Sequence, residues 1–181
     1  MQYLIERLYE THYESIINLS NDLFGEDYIN ENDLSEFSQS LVLKDPTQVL
    51  GFILFKPFEK GEFQWSNIAS IETFFENSNI IIMIKSLAVK KEFQNKGFGT
   101  ILINELLHSV PVFTGFVLSA WKYGNTMNLL GLIEKFQFIH LYHIEHFWFD
   151  ESLLKKYKCA ICGSPPCVCD AEIFGFVKTI C

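Results

Sequence analysis

Long apolar runs are missing from this chain. No stretch reaches 18 apolar residues, so neither a membrane-spanning helix nor a membrane partner is expected. The amino terminus, MQYLIERLYE, lacks the basic-then-apolar pattern of a secretory signal, and a cytoplasmic location is expected. Positive charge is scarce: 14 Lys and Arg stand against 22 Asp and Glu, for a net charge of −8. That balance argues against nucleic acid as the main partner. Between Leu8 and Leu43 there is no Lys or Arg at all. Repeats and low-complexity tracts are absent, and 181 residues suit one domain, 1–181, with a small appendage at 155–170. Four of the five cysteines lie within residues 159–169. In a reducing compartment such a cluster favours a metal over disulfides.

What is present is a large apolar complement, including 18 Phe, enough for a sizeable core. The chain is organised around residues 80–107, IIIMIKSLAVKKEFQNKGFGTILINELL. Ile80–Ile84 and Leu87-Ala88-Val89 form a β-branched, apolar run of the kind buried on both faces of a sheet. Gln94-Asn95-Lys96-Gly97-Phe98-Gly99-Thr100 follows, and then Ile101, Leu102, Leu106 and Leu107 at helical spacing. A strand therefore runs into a glycine turn that opens a helix. Glycine permits close backbone approach, and a helix start offers unpaired N–H groups and a positive dipole end suited to phosphate. Lys85, Lys90, Lys91 and Lys96 add positive charge and are expected on the same side. A plain strand–helix turn without a ligand is the alternative.

This stretch resembles the acyl-CoA-binding motif of the GNAT superfamily of N-acetyltransferases. The motif there is a hydrophobic-Ala-Val triplet ending a strand, then Q/R-x-x-G-x-G/A opening a helix. It stands here as Leu87-Ala88-Val89 and Gln94-x-x-Gly97-x-Gly99. No Gly-Lys-Ser/Thr follows, so it is not a P-loop. The resemblance covers about residues 1–150. It implies an α/β (α+β) fold, a mixed and mostly antiparallel sheet flanked by helices. It implies acetyl-CoA held by Leu87, Ala88, Val89, Gln94, Asn95, Lys96, Gly97, Phe98, Gly99, Thr100 and Asn125. The strand at Phe113–Trp121 should splay from the central strand and admit the pantetheine. An N–H near Leu87 should polarise the thioester carbonyl.

The rest of the chain is read as follows. Tyr3–Leu8 is a first strand, and Thr11-His12-Tyr13-Glu14 a capping box starting a helix that stops at Gly25. A second helix starts at Asn32 or Asp33, carries Leu34, Phe37 and Leu41 on one side, and ends at Pro46. Val49–Phe55 is a strand whose hairpin returns near Phe63. Residues 66–79 fit a strand end or a short helix. Asn125–Phe136 is a helix, and Phe138–Phe149 and Ala171–Thr179 are strands.

The family's second motif is matched poorly. A tyrosine that commonly protonates the departing thiolate is replaced by Ile133 or its neighbour, and a basic glutamate by Ala120 or Trp121. Tyr123 and Tyr142 are the substitutes suggested by position, against the reading of both as half-buried packing residues. Glu10, Glu14, Asp22, Glu26, Asp27, Glu31, Asp33 and Glu36 line the stretch that borders the acceptor in the family, which suits a cationic amine. An ordinary solvated acidic face is the competing reading.

Cys159-x-x-Cys162-Gly and Cys167-x-Cys169, separated by Pro165-Pro166, can close a tetrahedral zinc site with no open position, a structural site inserted in the C-terminal hairpin. Cys181 is left over. His140, His143 and His146 are read as ordinary strand residues, with 140 and 146 on one face and 143 on the other. The expected activity is acetyl transfer from acetyl-CoA to a primary amine, a small molecule or a peptide or protein amine. A non-catalytic acyl-CoA-binding or protein-interaction module is the alternative, and assembly into a homodimer stays open.

Overall fold

The computed structural model describes residues 2–179; Cys181 lies outside them. Eight strands form one sheet in the order β1-β2-β3-β4-β5-β8-β7, with the two-residue β6 paired to β5. The strands are β1 Leu4–Arg7, β2 Leu41–Lys44, β3 Val49–Glu59, β4 Ile80–Val89, β5 Gly115–Tyr123, β6 Thr126–Met127, β7 Ile139–Ile144 and β8 Asp170–Val177. The helices are α1 Tyr13–Phe24, α2 Glu31–Ser35, α3 Ala69–Phe74, α4 Phe98–His108, α5 Leu130–Lys135 and α6 Phe149–Lys155. Neighbouring strands run antiparallel except β4 and β5, which are parallel. The expected fold class holds, and no described helix is long and apolar enough to cross a membrane.

The sheet carries an apolar layer on each face. On one side α4 and α5 pack Leu102, Leu106 and Ile133 over Ile53, Ile82, Ile84, Phe116 and Phe174. On the other side α1 and the C-terminal knuckle pack Ile16, Leu19, Tyr157 and the buried cysteines over Phe52, Ile81, Val117 and Ile173. Strand alternation assigns each side chain its face, which is why β4 is apolar almost throughout.

Several sequence expectations need correction. The helix predicted to run past Leu41 ends at Ser35. Asn30 caps it by accepting from the Asp33 N–H at 3.1 Å, and the chain then enters β2. Leu34, Phe37 and Leu41 satisfy helical spacing, but pairing to β3 wins: the Phe55 N–H donates to Ser40 Oγ at 2.9 Å and Val42 opposes Phe52. The strand expected near Phe63 is a run of turns leading to α3; β4 itself is the return strand. The capping box at Thr11 does not form; the Tyr9 N–H donates to His12 Nδ1 at 3.1 Å and a short 3₁₀ turn precedes α1. The helix expected over Asn125–Phe136 is β6 followed by the shorter α5. The strand expected to reach Phe149 stops at Ile144, and α6 follows.

Candidate active site

β4 and β5 pair only from Ile81↔Gly115 to Ile84↔Leu118. Beyond that β4 continues to Val89 on β3, and β5 continues to Lys122 on β8. The strands part because β4 carries a bulge: Leu54 opposes Ser86 and Phe55 opposes Ile84, leaving Lys85 as the extra residue. A bulge bends its strand and increases its local twist. From Lys85 to Val89 the β5-facing backbone groups of β4 are consequently without a ladder partner. The gap is a narrow slot with an enclosed volume of about 30 Å³.

The slot lies between the parted strands. Its walls on the α4–α5 side are Ile84, Leu87, Ile103, Leu118, Leu132 and Ile133. Lys85 and Ser119 line its other end. Ser119 is paired with Ile173, which belongs to the opposite apolar layer.

At the α4 end, Gly97 has φ +86 and caps the helix without any side-chain bond. Asn95 is also left-handed, at φ +59. The first N–H groups of α4 have no intrahelical partner and point out of an 11-residue helix, an anion cradle. A Cβ on Gly97 would meet nothing within 4 Å, so the space in front of it is open. Gly99 serves packing instead: its Cβ would come within 3.0 Å of Leu132. Gln94 Nε2 donates to the Val89 carbonyl at 2.9 Å and braces the turn. Phe98 is buried against Phe93, and Lys96 lies over the Phe93 ring.

Lys85 does not join that group. Its side chain lies on the other face, where Nζ is 3.0 Å from Glu151 Oε1 and 5.1 Å from the centre of the Tyr28 ring. Burial alone would lower its pKa, but Tyr28 and Glu151 outweigh burial and hold it above the usual lysine value. Glu151 also receives Lys155 at 3.2 Å, and Lys155 reaches Asp33 at 2.7 Å. Of the eight acidic residues on the cation-free stretch, Glu26, Asp33 and Glu36 are paired with Lys158, Lys155 and Lys56.

Tyr123 and Tyr142 are not brought to the slot. Both are exposed, at 57% and 45%, and neither lines it. Asn125 lines a separate open groove of about 520 Å³ behind α5, together with Lys122, His140, His143 and Glu172. A bulge between His140 and Tyr142 puts His140 and His143 on one face, contrary to the strict alternation expected. Glu172 accepts from Lys122 Nζ and lies 2.7 Å from His140 Nε2 and 3.1 Å from His143 Nδ1. Burial opposes its charge, yet Lys122 and His140 keep its carboxyl below the usual range. His146 lies beyond the strand, its N–H donating to Asp170.

The four cysteines converge. Their sulfurs all lie within 4.8 Å of one another, and no other such cluster occurs among the described residues. Cys162–Cys169, Cys159–Cys169 and Cys162–Cys167 are separated by 3.3, 3.9 and 3.9 Å. A tetrahedron with metal–sulfur bonds of about 2.3 Å has edges of about 3.8 Å, so the set is the right size. Gly163 turns at φ +78 and exchanges two backbone bonds with Cys159. The Ile161 and Cys162 N–H groups donate to Cys159 Sγ at 3.3 and 3.2 Å. Burial pushes the Cys167 thiol up to about 12 and Cys169 higher still; Cys162 is lowered, because the Val168 N–H and the neighbouring thiols overcome burial. Thiols raised in this way, Cys167 and Cys169, ionise readily only beside a cation. Trp121 Nε1 and Tyr157 OH are buried without a partner. The indole faces Cys169, outside hydrogen-bond geometry, and the phenol feels Cys167 and Cys159. Two orphan donors beside these sulfurs suit the net negative charge of a metal tetrathiolate.

The knuckle is sewn to the α1–α2 loop. Lys158 and Ala160 N–H groups donate to the Glu26 and Phe24 carbonyls at 2.9 Å, and the Cys167 N–H donates to Ser152 Oγ at 2.8 Å. β7 and β8, between which the knuckle is inserted, pair directly.

A split parallel pair with a glycine-led helix at its mouth is the architecture of acyl-CoA-dependent transferases. The chain belongs to the acetyltransferase (GNAT) family, whose model matches residues 3–121. Its fold is similar to that of Arabidopsis thaliana NAA60 in complex with acetyl-CoA (TM-score 0.70, 15% identity, 97% of this chain and 99% of that one). It is also similar to Arabidopsis thaliana Naa50 in complex with the bisubstrate analogue CoA-Ac-MVNAL (0.67, 14%, 97% and 99%). The third is the Escherichia coli ribosomal-protein-S18-alanine N-acetyltransferase (0.66, 12%, 99% and 96%). No curated protein sequence matches the chain.

Proposed function

We propose that this protein transfers an acetyl group from acetyl-CoA to a primary amine, and that a structural zinc ion fastens its C-terminal knuckle. The split after Ile84↔Leu118, set against the open α4 N-terminus, carries the first half of this reading. In it the backbone groups of Leu87, Ala88 and Val89 that face away from β3 pair with the pantetheine like a missing strand, the Val89 carbonyl excepted because Gln94 already donates to it. Gln94, Asn95, Lys96, Gly97, Phe98, Gly99 and Thr100 form the pyrophosphate cradle. Gln94 and Gly99 act there by shaping the turn. An N–H near Leu87 polarises the thioester carbonyl. The amine enters from the Lys85–Ser119 end, attacks the carbonyl carbon directly, and the CoA thiolate departs. Glu10, Glu14, Asp22, Asp27 and Glu31 carry no ion pair among the described residues and steer a protonated amine toward that end. The neighbours' association with acetyl-CoA and a peptide-bearing analogue supports an amine on a peptide as one acceptor to test first. Asn125, Tyr123 and Tyr142 lie away from the slot and take no part. Cys159, Cys162, Cys167 and Cys169 hold the zinc; with four thiolates it has no vacant position for water, and its role is structural.

The test is calorimetry with acetyl-CoA, followed by thiol release over a panel of peptide and small amines. Gly97→Glu places a negative charge in the cradle at a left-handed position and should abolish acetyl-CoA binding. Unchanged affinity in that variant removes the assignment of the cradle. Binding without turnover of any amine would instead favour the non-catalytic module.

A further inference from the structure

An acetyltransferase faces two proton problems: the amine must arrive neutral, and the CoA thiolate must depart as an anion. The slot holds no tyrosine and no carboxylate on β4 or β5 to handle either. It holds a lysine. Lys85 is the bulge residue of β4, lines the slot at the end away from α4, and lies against Glu151 and Tyr28.

We infer that the Lys85 ammonium is the charge that serves both partners at the acyl end of the slot. It makes a neighbouring cation unfavourable, so an acceptor ammonium gives up its proton on arrival. It makes a neighbouring anion favourable, so the CoA thiolate is a better leaving group. This rests on the acetyl-CoA reading above and deepens it.

The arrangement keeps Lys85 charged and fixed. Glu151 on α6 holds Nζ at 3.0 Å, the Tyr28 ring lies beneath it, and Lys155 shares Glu151 while binding Asp33 of α2. Tyr157, packed edge-on to Tyr28, completes the groups facing this corner. A lysine held protonated is a poor nucleophile, so Lys85 is not itself the acceptor. Like-charge repulsion lowers the proton affinity of an amine, and a nearby lysine lowers that of a thiol. The atoms balance without any further reagent. The ammonium loses its first proton to solvent, the amine lone pair then forms the C–N bond, the C–S bond breaks, and the second proton released from nitrogen ends on the CoA sulfur.

The charge pattern then has two tiers. Acidic residues on the outer stretch gather protonated amines, and the Lys85 ammonium at the slot discharges them. Acceptors with a second fixed positive charge close to the reacting nitrogen should be disfavoured, whereas an α-amine, already close to neutrality with a pKa of about 8, should be favoured.

The experiment needs no acceptor. CoA bound to the intact protein is titrated by the ultraviolet absorbance of its thiolate, in the parent and in Lys85→Met and Lys85→Arg. Lys85→Met should raise the bound thiol's pKa by roughly one unit, while Lys85→Arg, which keeps the charge, should match the parent. Lys85→Met leaves Glu151 with Lys155 alone, so Lys85→Met/Glu151→Gln, which removes both charges of the pair, is titrated too and should show a smaller rise in the same direction. With Met-Val-Asn-Ala-Leu peptide and acetyl-CoA, the pH at which kcat/KM levels off should move up by a similar amount in Lys85→Met only. Parent and Lys85→Met titrating alike overturns the inference while leaving acetyl-CoA binding intact. Failure of the parent to bind CoA overturns the acetyltransferase reading instead.

Discussion

Gly25 lies where α1 ends and the knuckle touches it, and replacing it by alanine gives a sharp test of how the C-terminal region is held. Its backbone sits at φ +117 and ψ 159, a region essentially reserved for glycine. An added Cβ would lie 1.7 Å from the Lys158 carbonyl oxygen and 2.7 Å from the Ala160 nitrogen, both backbone atoms that no rotamer change can move. The two segments must part by more than an ångström. That breaks the Lys158→Glu26 and Ala160→Phe24 backbone bonds, each worth about 1 kcal/mol net. The left-handed strain adds on the order of 1–3 kcal/mol. Together Gly25→Ala should cost about 3–5 kcal/mol. At about 2–4 °C per kcal/mol for a chain of this size, the melting temperature should fall by about 10 °C. Gly131→Ala is the control: it lies in α5, a Cβ there meets nothing within 4 Å, and alanine is the better helix former by up to about 1 kcal/mol. Differential scanning calorimetry on both variants is the assay. A Gly25→Ala protein melting within about 2 °C of the parent would refute the clamp between α1 and the knuckle.

Two further outcomes are expected. Metal analysis of freshly purified protein should find one zinc per chain, and Cys162→Ser or chelation should lower the melting temperature while acetyl-CoA binding persists, because the cradle at Gly97 shares no residue with the knuckle; absence of zinc sinks the structural-metal reading. Glu172→Gln should destabilise the protein at neutral pH, and the deficit should shrink as pH falls. The folded-state pKa of Glu172 is depressed, so its contribution is present above the unfolded value of about 4.3 and is lost as pH drops through the folded one. Equal deficits at pH 7 and at pH 3 in parallel melts would contradict this.

Where local chemistry decides the structure, the sequence was legible. The Ile80–Val89 strand, the glycine turn, the helix after it and the four cysteines are each specified by neighbours along the chain. Where pairing across the sheet decides, it was not. Leu34, Phe37 and Leu41 fit a helix until β3 claims β2. The aromatic run after Phe138 fits a strand until the chain turns at His146, which is left-handed at φ +49, and starts α6. Glu151 therefore could not be placed near the slot at all. Lys85 misleads for a different reason. Grouping it with Lys90, Lys91 and Lys96 by charge overrode simple alternation, which already put it on the face of Ile81 and Met83.

The split between β4 and β5 divides the sheet into two leaves. One leaf is β1–β4; the other is β5, β8 and β7, with β5 bound to β8 along its whole course. The only strand ladder between the leaves among the described residues is the short run from Ile81 to Ile84, and the rest of their contact is side-chain packing. The knuckle belongs to the second leaf by connection, since it lies between β7 and β8, yet its hydrogen bonds go to the α1–α2 loop of the first. It is thus a tie-rod between the two leaves. It closes the sheet on the face away from the α4 cradle, so what it holds is the fold of the two leaves and not the seat of the phosphates.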